Sequence, residues 1–452
     1  MPIIKKILAS IVICSFFLQA ATAGKTDEPI SEADKKALIK AVCERIEKIY
    51  AFTENIKKTC DLLKSNLEQG AYAKYTSPRE FASRLNEDLE IVTHDKHFGI
   101  SYDPKQAAEM AEQAKTSENY AFYTPQLVRQ YRRMNYGFKE LKILEGNVGY
   151  LDLRDFFPLK WVADSAVAAM NFLANCDAVI IDLRFNGGGE DLTVNFLLSY
   201  FLDSSESTIT FNTNYTRFNN SYYQATTWPY VPGKTLYHMP LYLLTSKTSF
   251  SGAEAFAFRL KNLQRATLVG ETTRGGANPV EIQEIGRKYV IYIPSSKSVG
   301  SMTAADWEGV GVKPDIEVEA SEALTVAHLE AIKALSAKSG DEKDKFLYQW
   351  TSDGIKAKNH PFPVNPALFQ SYMGVYGDRI IGIHHNELYF QRGERAKMKM
   401  IAMAENLFMI ENMDYLRLRF VKEKDGTVSL ESLYDDGRVT SSAKNKTQEN
   451  SE

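Results

Sequence analysis

The run Ala178-Val-Ile-Ile-Asp-Leu-Arg184, followed by Phe185-Asn-Gly-Gly-Gly189, constrains this chain most. A near-continuous apolar run rich in β-branched residues reads as a strand buried on both faces, as in a parallel sheet covered by helices. The glycines after it let the backbone turn sharply and aim N–H groups at a negative atom before a helical pattern opens at Glu190. Any tight strand-to-helix connection has this look, so one such turn says little. A second one follows. Leu241-Tyr-Leu-Leu244 feeds through Thr245-Ser-Lys-Thr-Ser-Phe-Ser251 into a helix that buries Ala255, Phe256 and Leu260. Open α/β sheets bind ligands outside the carboxyl ends of their strands, and two such turns at one sheet edge mark a site there.

Ser251 stands at the second turn. Its oxygen falls on the first turn of a helix, beside the positive end of the dipole, where an alkoxide or oxyanion is favoured. Ser251 with Glu254 three residues on also reads as a capping box, which would only start the helix.

Four blocks decide between these readings. Asp182-Leu-Arg-Phe-Asn-Gly-Gly-Gly189, Thr248-Ser-Phe-Ser-Gly-Ala-Glu254, Leu268-Val-Gly-Glu-Thr-Thr-Arg-Gly-Gly276 and Trp307-Glu-Gly-Val-Gly-Val-Lys-Pro-Asp315 resemble the tail-specific (C-terminal processing) serine peptidases. They come in that family's order, over about residues 140 to 320. The resemblance implies an α/β, crotonase-like catalytic core, Ser251 as nucleophile, and backbone N–H groups of Gly188 and Gly252 as the oxyanion donors. Gly188 is taken over Gly187 because related sequences can carry Pro at the first Gly position, and Pro has no N–H. No metal or organic cofactor is implied.

Members with a Ser-Lys dyad carry Lys near the end of the third block, where this chain has Gly276. The chain is therefore more similar to the branch holding the tricorn protease core and the interphotoreceptor retinoid-binding protein, whose base is a His from the N-terminal segment. His94-Asp-Lys-His97-Phe-Gly matches that segment. Of the other histidines, His238 precedes the strand leading to Ser251, about 20 Å away on the wrong edge. His328, His360, His384 and His385 lie in a later helix or beyond the core. That leaves His94 and His97, and the resemblance favours His97, with an expected pKa of about 6 to 7. Glu308 resembles the acidic member that orients the His or its polar neighbour. Lys96 stands where that branch has a second Ser.

Lys5 and Lys6, the apolar run Ile7 to Phe17, and Ala21-Thr-Ala23 read as a secretory signal peptide over 1–23. The expected place is the periplasm or the exterior, with no membrane association after cleavage. Loss of the two lysines takes the formal charge from -3 to -5, which argues against a nucleic-acid partner. A peptide or unfolded protein is the expected substrate. From Ser31 to about Met134 the pattern is helical, and Ser77-Pro-Arg-Glu80 reads as a capping box for the helix that delivers His94 to His97. Cys43 and Cys60, facing each other across a helical hairpin, are expected to pair in an oxidising compartment. About forty residues separate the His segment from the next strand signal, too few for a PDZ domain.

The expected division is 24–136 helical subdomain, 137–340 peptidase core, 341–360 helical linker, 361–440 antiparallel β-domain and 441–452 disordered tail. The alternative function on the same fold is a non-catalytic carrier of apolar small ligands, similar to the retinoid-binding relatives.

Overall fold

The computed structural model describes residues 27–116, 121–203, 207–301 and 306–445. The signal-peptide reading of 1–23 lies outside the described residues, as does the end of the expected tail. Contacts divide the chain into two compact units, Met1–Ile143 with Gly149–Leu324, and Leu144–Val148 with Thr325–Glu452. By contact, therefore, residues 325–360 group with the C-terminal strands, although the sequence reading assigned them to the core and a linker.

The first unit opens with α1 (Glu32–Ile49), α2 (Ile56–Glu68), α3 (Pro78–Thr93), β1 (Gly99–Tyr102), α4 (Pro104–Gln113) and α5 (Pro125–Arg133). There follow β2 (Phe138–Leu144), β3 (Val148–Leu153), α6 (Leu159–Leu173), β4 (Ala178–Asp182), α7 (Asp191–Phe201), β5 (Thr210–Thr216) and β6 (Ser221–Thr226). The unit ends with β7 (Leu241–Thr245), α8 (Gly252–Asn262), β8 (Thr267–Gly270), β9 (Val280–Ile285), β10 (Tyr289–Pro294), β11 (Ser296–Ser301) and β12 (Ile316–Glu317).

Helical spacing turns Leu38, Val42 and Ile46 of α1, and Phe81, Leu85 and Leu89 of α3, to one side. That side packs on the sheet β1-β10-β9, forming one core cluster with Ile100, Ile291 and Ile293. At about 1.5–3 kcal/mol for each large apolar side chain buried, this layer anchors the last turn of α3. The helical segment thus shares its core with strands from far along the chain. β1 was missed from the sequence because four residues are too short to show a period. Ser77 is the N-cap of α3, with Pro78 at its first position, but makes no side-chain cap bond, so the expected capping box is absent. Cys43 and Cys60 are both buried and are free thiols rather than the expected disulfide; their side chains are close enough to share a hydrogen bond.

The central sheet has the order β12-β8-β7-β4-β3-β2. β4, β7, β8 and β12 run parallel, with Asp182 opposite Leu244 and Thr245 opposite Gly270. Every residue of β4 and β7 is buried, which explains their unbroken apolar sequences. Because β4 and β7 are adjacent and parallel, the turns that follow them emerge side by side. A separate sheet, β11-β5-β6, stands in the same unit.

The second unit holds α9 (Ala323–Lys338), α10 (Glu342–Asn359) and α11 (Phe369–Tyr372), then β13 (Gly374–Tyr376), β14 (Arg379–His384), β15 (Glu387–Arg392) and β16 (Met398–Ala404). It finishes with β17 (Leu407–Ile410), β18 (Met413–Lys422), β19 (Val428–Tyr434) and β20 (Val439–Ala443). These strands form one antiparallel sheet in sequential order. Just past its last strand the chain returns to the first, where Asn445 N–H donates to Val375 O at 2.7 Å, so the sheet is nearly a barrel. Ser441 pairs with Glu431 and Ala443 with Ser429, which corrects the expectation of disorder from residue 441.

Candidate active site

Ser251 sits between β7 and α8 with φ 53° and ψ -113°. A non-glycine residue pays about 1–3 kcal/mol for such a backbone and keeps it only where the surroundings over-determine it. Here they do. Phe250 N–H donates to Asn186 O at 3.1 Å. Ser249 Oγ donates to Leu183 O at 2.7 Å, and Thr248 Oγ1 to Arg184 O at 2.6 Å. The small hydroxyl residues before Ser251 therefore tie the turn after β7 to the turn after β4.

Glu254 holds the turn from the other side. Its Oε2 accepts N–H bonds from Ser251 and Gly276, both at 2.8 Å, and its Oε1 accepts from Gly275 N–H at 2.6 Å and from Thr273 Oγ1. The carboxylate is fully buried, and burial pushes it up to about 7 against the pull of these donors. The capping box read from the sequence thus does more than start a helix, since Glu254 welds the Ser251 turn to the Thr273–Gly276 loop.

The His segment meets that loop. His94 is the exposed left-handed residue ending α3, with φ 52°. His97, three residues on, is buried, and its ring lies 4.4 Å from that of Phe250, centroid to centroid. Its backbone N–H donates to Asp95 Oδ1 at 2.9 Å, and Asp95 Oδ2 accepts from Asn278 Nδ2 at 2.8 Å. Neither ring nitrogen of His97 has a hydrogen-bond partner. Burial, with the Arg274 charge adding to it, pushes the imidazole down to about 3, well below the ordinary value expected from the sequence. Among the described residues no hydrogen bond joins His97 to Ser251.

Glu308 was expected to orient the His or its neighbour. It grips the backbone beside the imidazole: Oε1 accepts Lys96 N–H at 3.2 Å, and Oε2 accepts Ala277 N–H at 2.6 Å and Asn278 N–H at 3.3 Å. Donor atoms of Asp95, His97 and Glu308 lie within 4.8 Å of one another. Burial, and the two carboxyls' mutual repulsion, hold Asp95 well above the usual carboxylate range. The Lys96 ammonium turns away to an ion pair with Glu90 on α3.

Gly188 is not available as an oxyanion donor, because its N–H already donates to Asn186 Oδ1 at 2.8 Å. Gly189 is the better-placed residue. Its neighbours pair with Phe156 through Gly188 O and Glu190 N–H, which points the Gly189 N–H the other way. A Cβ on Gly252 would stand 3.0 Å from Gly189 N, so the two glycine turns touch as backbone. Ser251, Gly189 and Gly252 line a solvent-open pocket walled by Phe211, Phe258 and Trp307. At its side Arg259 is paired with Asp191 at 2.8 Å.

Residues brought together but not assigned to the site from the sequence are Asp95, Asn278, Phe250 and Gly189, and Glu254 was read only as a capping residue. Asp95 lies inside the His94–His97 motif and Glu254 inside the Ser251 block, so their acidic character was the available signal; nothing local marked Asn278.

Residues 147–318 match the sequence model of peptidase family S41. Residues 32–136 match that of the N-terminal domain of this family's peptidases in eukaryotic IRBP. Among solved structures, a putative peptidase from Parabacteroides merdae is 17% identical at a TM-score of 0.40, covering 63% of this chain and 90% of its own. A lipoprotein from Streptococcus agalactiae is 14% identical at 0.45, covering 69% and 99%. The photosystem II D1 C-terminal processing protease is 12% identical at 0.39, covering 63% and 93%.

Proposed function

Because the chain belongs to peptidase family S41, its residues 32–136 and 147–318 together matching that family, we propose that it is a serine endopeptidase acting through Ser251 and His97. In this reading Ser251 Oγ attacks the peptide carbonyl and passes its proton to His97, which returns it to the leaving amine. Backbone N–H groups of Gly189 and Gly252 hold the oxyanion. His97 is kept neutral, so its lone pair is free for the Ser251 proton; burial and the Arg274 charge oppose the imidazolium that forms, and the nearby Asp95 and Glu308 carboxyls offset this only as they ionise. Glu308 and Asp95 are positioning residues, since they hold the backbone on either side of the imidazole. The Ser–His hydrogen bond closes when substrate arrives, as catalytic contacts often tighten only in the complex.

The observation that carries this reading is the strained backbone of Ser251 pressed against Gly188-Gly189. Strain held so firmly exposes a side chain that ordinary helix capping would not need to expose. The core is taken as crotonase-like. A PDZ domain is not part of the reading, since residues 103–137 hold two short helices and turns among the described residues. Export to the periplasm or exterior is part of it, resting on Lys5, Lys6 and the apolar run after them. No helix of the described residues is long and apolar enough to cross a membrane.

The test is labelling of the full chain with a fluorophosphonate, followed by peptide mapping and a turnover assay on an unfolded protein. Modification at Ser251 with turnover is expected. Absence of both, with a bound apolar ligand raising the melting temperature, would replace the peptidase by the carrier.

A further inference from the structure

His97 is 7% exposed, and both of its ring nitrogens lack a partner. A buried polar atom left unpaired calls for an explanation such as an ion or water. Donor atoms of Asp95 and Glu308 lie within 4.8 Å of its own and of each other. We propose that Asp95, His97 and Glu308 form a binding site for a divalent cation of the zinc class.

The donor set selects the ion. One imidazole and two carboxylates suit zinc and its late-transition-metal neighbours, whereas calcium and magnesium prefer oxygen donors throughout. The outer shell is already built. Asp95 accepts from His97 N–H and Asn278 Nδ2, and Glu308 accepts from the N–H groups of Lys96, Ala277 and Asn278. These bonds aim the carboxylates without an ion, as the supports of ligand residues do in metal sites. Donors around a tetrahedral zinc at about 2.0–2.2 Å stand roughly 3.3 Å apart, so the cluster has to contract. The His97 ring can move inward without breaking a hydrogen bond, since it makes none. Three protein donors leave the fourth position to water. The Arg274 charge opposes the ion, but that side chain is exposed and its field is screened by solvent.

An ion held there takes the lone pair that His97 needs as a base, and so silences the peptidase reversibly. Binding follows from the cluster alone; silencing rests on the proposed function. The two are tested separately.

Full chain stripped with EDTA is titrated with zinc chloride by calorimetry. The parent carries His384→Ala and His385→Ala, because those adjacent exposed rings could bind zinc themselves. One tight site is expected. It should weaken about ten- to a hundredfold in Glu308→Gln and in Asp95→Asn, vanish in His97→Gln, and stay unchanged in Ser251→Ala. An isotherm in Glu308→Gln and His97→Gln equal to the parent's overturns the site. If His97→Gln does not fold, Glu308→Gln and Asp95→Asn decide it. Zinc should also stop turnover by the parent, with EDTA restoring it. Tight binding that leaves turnover intact overturns the silencing and His97 as base, while the cation site stands.

Discussion

A Cβ on Gly276 would stand 2.7 Å from Cε1 of His97 and 2.4 Å from Cε2 of Phe250. The imidazole and the Phe250 ring therefore occupy the space that any side chain at position 276 would need. A side chain at position 276 forces one of the two rings to shift. Gly276→Ala should consequently displace His97. Overpacking costs about 1–3 kcal/mol, enough to lower the melting temperature by a few degrees. With His97 as the proposed base, turnover should fall by about tenfold or more, because a base shifted by an ångström no longer reaches its proton. Thermal melts and steady-state kinetics check both. Unchanged kinetics would mean that the ring moves freely.

The candidate site was legible wherever sequence neighbours and space neighbours coincide. Ser251, Gly252 and the β4 and β7 strands could be read because buried parallel strands are apolar throughout and their turns are rich in small residues. Which glycine N–H is left free beside Ser251 could not. Gly188 and Gly189 are alike in sequence, and the bond from Gly188 N–H to Asn186 Oδ1 and the pairing around Phe156 separate them. The contacts of Glu308 were not legible, since whether a carboxylate meets a ring or a backbone depends on a loop far away in the chain. β1 and β20 escaped for a local reason, one being four residues long and the other a Ser-rich strand.

Glu254→Ala should be among the most damaging single changes. It leaves the N–H groups of Ser251, Gly275 and Gly276 without their acceptor inside the protein. Each buried donor orphaned in this way costs about 1–3 kcal/mol, so a loss of roughly 3 kcal/mol or more is expected. Labelling of Ser251 by a fluorophosphonate should fall with it, even below the melting transition, because the turn loses its weld to the Thr273–Gly276 loop. Urea unfolding and the labelling rate read the two effects. A variant with near-normal stability would show that water replaces the carboxylate.

The pH dependence of stability has two limbs of opposite origin. The folded pKa of His97 is depressed to about 3, so its contribution is present above its unfolded value of about 6.5 and is lost as pH falls toward 3. The folded pKa of Asp95 is raised, by burial first and by Glu308 second. Its contribution is present below the unfolded value of about 3.9 and is lost as pH rises through the raised one. Between about pH 3.9 and 6.5 the two opposing slopes largely cancel, so the melting temperature should decline mainly as pH rises from about 6.5 toward 8, with buried Glu254, raised to about 7, adding to the decline below pH 7. Asp95→Asn removes one of these titrating groups and should make the alkaline limb shallower, chiefly above pH 7, with the Asn278 amide turning to meet the new one. Melts taken from pH 4 to 9 test this, and an unchanged alkaline slope in Asp95→Asn would assign the limb elsewhere.

The identity of the base is decided by Lys96→Ala and His97→Ala, with Ser251→Ala as the floor. The Lys96 ammonium is paired with Glu90 on the exposed side of α3 and is partly solvated. Such pairs are worth about 0–1 kcal/mol, so Lys96→Ala should keep both its fold and most of its turnover. Only the Lys96 backbone meets the site, through the N–H given to Glu308 Oε1, and alanine supplies that equally well. His97→Ala should fall to the Ser251→Ala level, because members of one catalytic unit are not additive. Its acid limb offers a second reading. With His97 held neutral down to about pH 3, turnover by the wild type should not drop through pH 6.5 as an ordinary imidazole would dictate. Circular dichroism has to establish first that each variant is folded, since the His97 ring also packs on Phe250. A folded His97→Ala chain with near-normal turnover, beside an inactive Lys96→Ala, would reverse the assignment and require the ammonium to leave Glu90 for Ser251.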